Sequence, residues 1–448
     1  MACNGTFAQS SGTNSPYSRY GWGILEDESQ GFNLGMAGAG LGMRGAHILN
    51  SRNPASYSAI DSLTFLFDIG ASLSTANMSY NGTSVNPQSS TLNYVTAGFR
   101  IIPSLGFAIG LRPFTTIGYN FSSTTKMEDI DGYGEKNANY TYLGEGGTHS
   151  VYGGLGWNPF KNFSIGANVG YLWGDYSHTS YVIFSENTIQ ALRRYYTGNI
   201  STYTLDFGVQ YTQTVNKNTS VNVGLTAALG HKFNGSANFI NQKTSSTSIE
   251  GADSLSLKDV NEIPNMFGAG VVVNHKNKWI IAADYTIQLW KDCRSPQLVT
   301  ENGIQSYKIT TNAFSNRQKA ILGVQFVPKP DGFRFRDHIS YRAGISYSTS
   351  YYKVNNNDGP KTYLATVGVG LPIINQYTKR SIVSIAAEYK RVQPSISNSI
   401  KENYEKVKPT LVVIDYFQLI HYKNRYPKDD TEVAYIIKQL KINTSLLQ

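Results

Sequence analysis

The strongest constraint on this chain is an alternation that recurs from about residue 62 to about residue 392, the period-two signature of strands with two unlike faces. Phe163, Ile165, Ala167, Val169, Tyr171 and Trp173 alternate with Ser164, Gly166, Asn168, Gly170 and Leu172. Val383, Ile385, Ala387 and Tyr389 alternate with Ser384, Ala386, Glu388 and Lys390. Many such strands in succession, with almost no helix between them, leave two architectures: a soluble β-sandwich array or a transmembrane β-barrel.

Composition favours the barrel. A chain of 448 residues ordinarily divides into soluble domains, but one closed sheet absorbs that length. Tyr is counted 31 times, an excess that suits aromatic girdles at two membrane interfaces. Gly is counted 42 times, and on an inward strand face it leaves room in a lumen. The net charge of +9 is scattered through turns and loops without a basic stripe, so no nucleic-acid partner is expected. Cys3 and Cys293 are too few and too far apart for a disulfide framework or a thiolate zinc site.

The order of segments sharpens the reading. About thirteen candidate strands centre near residues 70, 96, 110, 153, 169, 206, 226, 270, 284, 322, 344, 367 and 386, and the links between them alternate short and long. Long polar links fall at about 121–147, 183–198, 234–262, 291–315 and 351–360. Short periplasmic turns and long outer loops are the habit of outer-membrane barrels, which close with even strand numbers. The expected fold is an all-β transmembrane barrel of about 14 antiparallel strands. Its organisation is a signal-peptide remnant at 1–15, an N-terminal hatch at 16–61, the barrel at 62–400 and an aberrant α/β-like tail at 401–448. The remnant rests on Thr6-Phe7-Ala8, which has the small-x-small form that precedes signal cleavage.

The tail breaks the pattern. Leu411 to Ile420 is a continuous apolar run around Asp415, and Thr431 to Leu447 reads as a helix with Val433, Ile436, Ile437 and Leu440 on one face. This stretch resembles the Walker-B strand and following helix of DnaB-type replicative helicases, in which Asp415 would match the magnesium acid. The chain has no G-x-x-x-x-G-K-[ST] loop to hold a nucleotide. The alternative is an irregular last strand in the fourteenth slot, with weak closure there.

Residues 16–60 show no strand pattern. Ser15-Pro16-Tyr17-Ser18-Arg19-Tyr20-Gly21, then Gly35-Met36-Ala37-Gly38-Ala39-Gly40-Leu41-Gly42, then Asn53-Pro54-Ala55-Ser56 suggest backbone packed closely against a wall and a fixed Asn-Pro turn. A segment of this length on the periplasmic side of a barrel has the lumen as its natural place. These motifs, with Ile263 to Val271 followed by Trp279 to Tyr285, and with Lys361 to Leu371 followed by Ser384 to Tyr389, resemble the FadL-like outer-membrane transporters, toluene channels included. The S-P-Y-S-R-Y-G opening is similar to a Bacteroidetes branch of such proteins and to a barrel of the type IX secretion system. The resemblance implies a fourteen-strand barrel in the cell outer membrane with a lumenal hatch carrying Gly35, Gly38, Gly40, Asn53 and Pro54.

The site chemistry is that of a non-enzyme. There is no H-E-x-x-H and no G-x-S-x-G, the seven His are dispersed, and no cofactor or metal is expected. Glu128-Asp129-Ile130-Asp131 reads as a solvated loop tip, and Arg193-Arg194 with Tyr195-Tyr196 as an interface girdle. The expected partners are membrane lipid, lipopolysaccharide and a hydrophobic small molecule taken up passively. The alternative is a non-transport surface barrel whose partner is a secreted protein.

Overall fold

The computed structural model describes residues 15–393, apart from 27, 63, 81–82, 86–87, 128–135, 185–190, 234, 245–248, 302–303, 355–356 and 374–380, together with 413–414 and 418–425. The signal remnant before Ser15, the acidic cluster at 128–131, Asp415 and the helix at 431–447 lie outside the described residues.

The wall strands are β1 (Phe65–Tyr80), β2 (Gln88–Ile102), β3 (Leu105–Met127), β4 (Lys136–Phe160), β5 (Phe163–Phe184), β6 (Ala191–Asn216), β7 (Thr219–Ala228), β8 (Met266–His275), β9 (Trp279–Gln288), β10 (Arg317–Phe326), β11 (Ser340–Ser348), β12 (Lys361–Ile373), β13 (Ser381–Gln393) and β14 (Gln418–Arg425). Consecutive strands from β1 to β13 pair antiparallel, β12 with β13 being the last such pair, and every expected strand centre falls inside one of them. The fourteenth slot departs from expectation. β14 pairs in parallel with both β13 and β1, which returns the strand order to its start. The reason is the chain's path. Val413–Ile414 descends against Ala386 and Ile385 of β13, and the chain then re-enters the slot ascending. The wall therefore extends beyond residue 400, into the segment that resembles a helicase fragment.

The outward face is a belt of exposed apolar side chains. Phe67, Leu155, Val169, Tyr171, Phe207, Leu225, Phe267, Ile281, Leu322, Ile345 and Val367 all lie on it. A patch that encircles the molecule is far beyond what water tolerates, so the surrounding solvent is lipid. On β5 the belt runs from Phe163 to Trp173, after which Asp175, Ser177 and Thr179 occupy the same face.

Strand length divides the barrel. β3 to β6 have 23, 25, 22 and 26 residues, whereas β7 to β10 have 10 each. A tilted strand crosses the hydrocarbon in about 9–11 residues. The long four therefore continue for roughly 40 Å or more of strand beyond the membrane as a sheet, at the usual rise per residue. Much of the 121–147 and 183–198 links, expected as loops, is this sheet. The 234–262 and 291–315 links also carry hairpins. Ser236–Thr244 pairs with β6 and with Ile249–Lys258, and Ser295–Glu301 pairs with Ile304–Thr310. Arg193 pairs with Tyr181, eight positions beyond Trp173, and stacks 4.9 Å from Tyr195. That cluster sits above the membrane interface rather than in its girdle.

Candidate functional site

The segment from Ser15 to Ile60 occupies the lumen, and local chemistry fixes its turns. Ser15 caps a 3₁₀ turn at Pro16–Arg19 by accepting from the Tyr17 amide at 3.3 Å. Asn33 Oδ1 accepts from the Gln30 amide at 2.7 Å, and Ala37 and Gly38 take left-handed φ of 55° and 82°. Asn53 caps the turn Pro54–Ala59 by accepting from the Ala55 amide at 3.2 Å. Pro54 stands at its first position, where no amide hydrogen is needed.

The wall meets this segment with glycine. A Cβ on Gly106 would strike the Tyr57 carbonyl, one on Gly166 the Pro54–Ala55 peptide, and one on Gly224 the Leu41 carbonyl. Gly156 faces Pro54, Gly208 faces Asn53, Gly344 faces Met36, and Gly368 stands against Gly35. These seven glycines lie on seven wall strands, from β3 around to β12. The room that inward glycine leaves is filled by hatch backbone.

Among the residues singled out from the sequence, Gly35 packs on β12 and Gly40 donates its amide to Asp284 on β9. Asn53 and Pro54 pack on β4 to β7. Gly38 instead faces Ser29 within the hatch, where its role is the turn.

Sequence reasoning did not single out the wall side chains that hold the hatch. Asp284 Oδ2 accepts from the Gly40 amide at 2.7 Å, the Leu41 amide at 3.0 Å and Arg52 Nη1 at 3.0 Å, with both side chains buried. Gln210 Nε2 donates to the Leu41 and Met43 carbonyls at 3.1 Å each, and Asn222 donates to the Gly42 carbonyl. Arg342 donates to the Gly31 carbonyl at 2.8 Å, and Thr366 accepts from the Ala37 amide at 2.8 Å. The available signal was an ionised or amide side chain at an inward strand position, which needs a partner once covered.

Above these contacts lies a cavity of about 120 Å³ whose lining mixes charged Glu28, Arg52 and Arg112 with apolar Leu25, Leu41 and Phe114. Arg112 is paired with Glu28 at 2.9 Å. Higher still is an aromatic roof. Trp22 of the hatch stands edge-on to Trp290 at 5.5 Å, and Trp290 lies 4.5 Å from Tyr351. Tyr351 accepts from the Trp22 amide at 2.8 Å and donates to the Gly23 carbonyl at 2.7 Å.

Along the inner face of the tall sheet, one register row holds Tyr119, Gly144, His178, Tyr196 and Phe239. His178 Nδ1 lies 2.6 Å from the Tyr119 hydroxyl. Burial, then the Arg19 charge, pushes the His178 imidazole down to about 4. It stands five positions beyond the end of the lipid belt, outside the membrane-crossing part of β5.

The wall parts at one place. β2 and β3 pair from Ile102–Leu105 up to Val95–Leu111 and separate beyond it, where the β3–β4 register shifts at Pro113. Hatch residues Ile24 and Leu25 pair there with Thr116 and Thr115. Ser18 Oγ accepts from the Gly118 amide at 3.1 Å. The hatch thus covers the edge that β2 leaves.

The model of the BamG family matches residues 1–422. The chain belongs to the BamG family. None of the curated proteins matches it. Three solved structures share its fold at low sequence identity. A Pseudomonas aeruginosa FadL homologue is 12% identical, with a TM-score of 0.53 over 83% of this chain and 91% of the other. The monoaromatic hydrocarbon channel CymD is 14% identical, with 0.52 over 83% and 94%. The Ralstonia pickettii toluene transporter TbuX is 12% identical, with 0.51 over 81% and 93%. This BamG-family chain is thus a FadL-like β-barrel of the outer membrane. Among the described residues, no three His, Cys, Asp or Glu side chains gather as metal ligands.

Proposed function

We propose that this barrel is a passive, non-enzymatic channel for hydrophobic compounds, long-chain fatty acids or aromatic hydrocarbons, with residues 16–61 as its hatch. The observation that carries the reading is the aromatic roof set over a lumen filled by a segment of the same chain. An apolar ligand would enter among Trp22, Trp290 and Tyr351. Each CH₂ withdrawn from water contributes about 0.8 kcal/mol, so little hydrogen bonding is needed. A shift of Ile24–Leu25 off β3 would open the parted wall between β2 and β3 as a lateral exit. The similar structures that are hydrocarbon channels and toluene transporters support the same substrate class.

Deleting residues 16–55 tests the hatch. Bilayer conductance to small hydrophilic solutes should rise well above that of the full chain; equal conductance would count against a plug. Uptake of a labelled fatty acid or of toluene by cells carrying the full chain tests the substrate.

A second reading, a surface barrel that docks secreted proteins, is supported by two observations. The cavity beside the hatch sets Glu28, Arg52, Arg112, Asp206, Arg317 and Lys319 among its apolar lining, which interrupts an apolar path, and β3 to β6 raise a large sheet clear of the membrane. Absence of ligand uptake together with a closed lumen would favour it.

A further inference from the structure

Among the turns at the short-connection end whose residues are all described, one is long. Residues 103–104, 161–162, 217–218 and 276–278 each close a pair of wall strands, whereas β10 and β11 are joined by 327–339. This longer turn is hydrogen-bonded within itself. The Lys329 amide donates to the Asp337 carbonyl at 3.0 Å, the Gly332 amide to the Lys329 carbonyl at 3.0 Å, and the Asp337 amide to the Arg334 carbonyl at 2.9 Å. Asp337 Oδ2 accepts from the Arg334 amide at 3.2 Å, and His338 Nε2 lies 2.7 Å from the Gly332 carbonyl. On this frame Phe333 is 99% exposed and Phe335 45% exposed, beside exposed Lys329, Arg334 and Arg336.

A phenyl ring held wholly in water forgoes the free energy that burial would supply. A frame that holds it there without a covering side chain is suited to an apolar phase outside the chain. The bilayer is beside it. The turn leaves β10 at Phe326, whose ring lies 4.5 Å from Trp279 in the aromatic girdle and carries Lys278 at 5.5 Å. It re-enters the wall next to exposed Tyr341. The other turns at this end set Arg100, Lys161, Lys217 and Lys276 around the same rim. Asp337 is engaged inside the turn, and Asp331 is its other carboxylate.

We propose that residues 327–339 form an interfacial anchor for the lipid leaflet at the short-turn end. Phe333 and Phe335 enter the boundary between headgroups and acyl chains, and Lys329, Arg334 and Arg336 receive anionic phosphates. Aromatic rings with snorkelling cations are the side chains that lodge at that depth, and anionic headgroups attract juxtamembrane basic residues. The anchor fixes the height of the barrel in the bilayer whether or not the hatch moves.

The test uses the full chain refolded into vesicles of phosphatidylcholine with or without phosphatidylglycerol. The difference emission between Phe333→Trp and the parent should be blue-shifted, quenched by phospholipid brominated near the headgroup, and more strongly quenched with phosphatidylglycerol present. Water-like emission with no bromine quenching in either vesicle would overturn the proposal and point to a socket on a periplasmic protein. Adding Arg334→Ser and Arg336→Ser to Phe333→Trp should abolish the difference between the two vesicles; a retained difference would overturn the cation part. A shift of the folded band on unheated gels confirms that each variant has folded.

Discussion

The lower hatch and the upper hatch are held by different physics. Residues 30–60 meet the wall through backbone, against glycines that admit no Cβ and side chains that each take a defined amide or carbonyl. Residues 17–25 add rings to a short backbone pairing with β3: Trp22 stands among Trp290, Tyr351 and Phe233, and the Tyr351 hydroxyl accepts one hydrogen bond and donates another. Hydrogen-bonded backbone has one good position, whereas aromatic contacts lose little when rings slide past each other. The lower part is fixed to the wall mostly by backbone contacts, and the upper part rests on it mostly by aromatic ones.

The contrast can be broken from below first. Asp284→Ala leaves the Gly40 and Leu41 amides and the buried Arg52 without their shared acceptor, and breaking a buried pair costs about 3–5 kcal/mol. The expected result is a leaky barrel in bilayer recordings, with a lower unfolding midpoint in urea. Gly166→Val drives a side chain into the Pro54–Ala55 peptide, at about 1–3 kcal/mol for overpacking. Here hydrogen exchange at residues 53–59 should accelerate while the wall stays protected.

Tyr351→Phe keeps the ring and removes the two hydrogen bonds, a loss of about 0.5–1.5 kcal/mol for each. Proteolysis near Trp22 should quicken, without new conductance. If it also opened the lumen, the two halves would not be separate devices.

The smallest and most local effect is set by pH. His178 has a folded value near 4, below the ordinary imidazole value of 6.5. The unfolded chain therefore binds the proton more readily than the native one. The neutral ring's contribution is complete above about pH 6.5 and declines as pH falls toward 4. Near-ultraviolet circular dichroism should show the aromatic row loosening over that window, and His178→Phe should flatten the response. The last seam offers a separate check. β14 joins its neighbours through a short parallel strand, so heating in detergent should open the β13–β14–β1 junction before the long β3–β6 sheet.

Thirteen of the wall strands were legible because a half-lipid, half-lumen environment writes period two into every crossing. Gly35, Gly40, Asn53 and Pro54 stood out in the sequence as candidates for close packing and turns because close backbone approach admits few alternatives. The upper reaches of β3 to β6 were not, because both faces turn polar or aromatic once the strand leaves lipid, as with Asp175, Ser177 and Thr179. The hairpin at 236–258 was hidden for the same reason. The parallel course of Gln418–Arg425 was also hidden, since its apolar run is compatible with either direction.

Side-chain periodicity, then, was enough to specify a barrel and its lipid face, because those features are local and repeat along the chain. Which wall residue meets which hatch residue could not be read that way. Gly40 and Asp284 are 244 positions apart, and only the closing of the sheet around the segment brings carboxylate to amide. Contacts of that kind depend on strand register and curvature, which belong to the whole wall and to no single stretch of it.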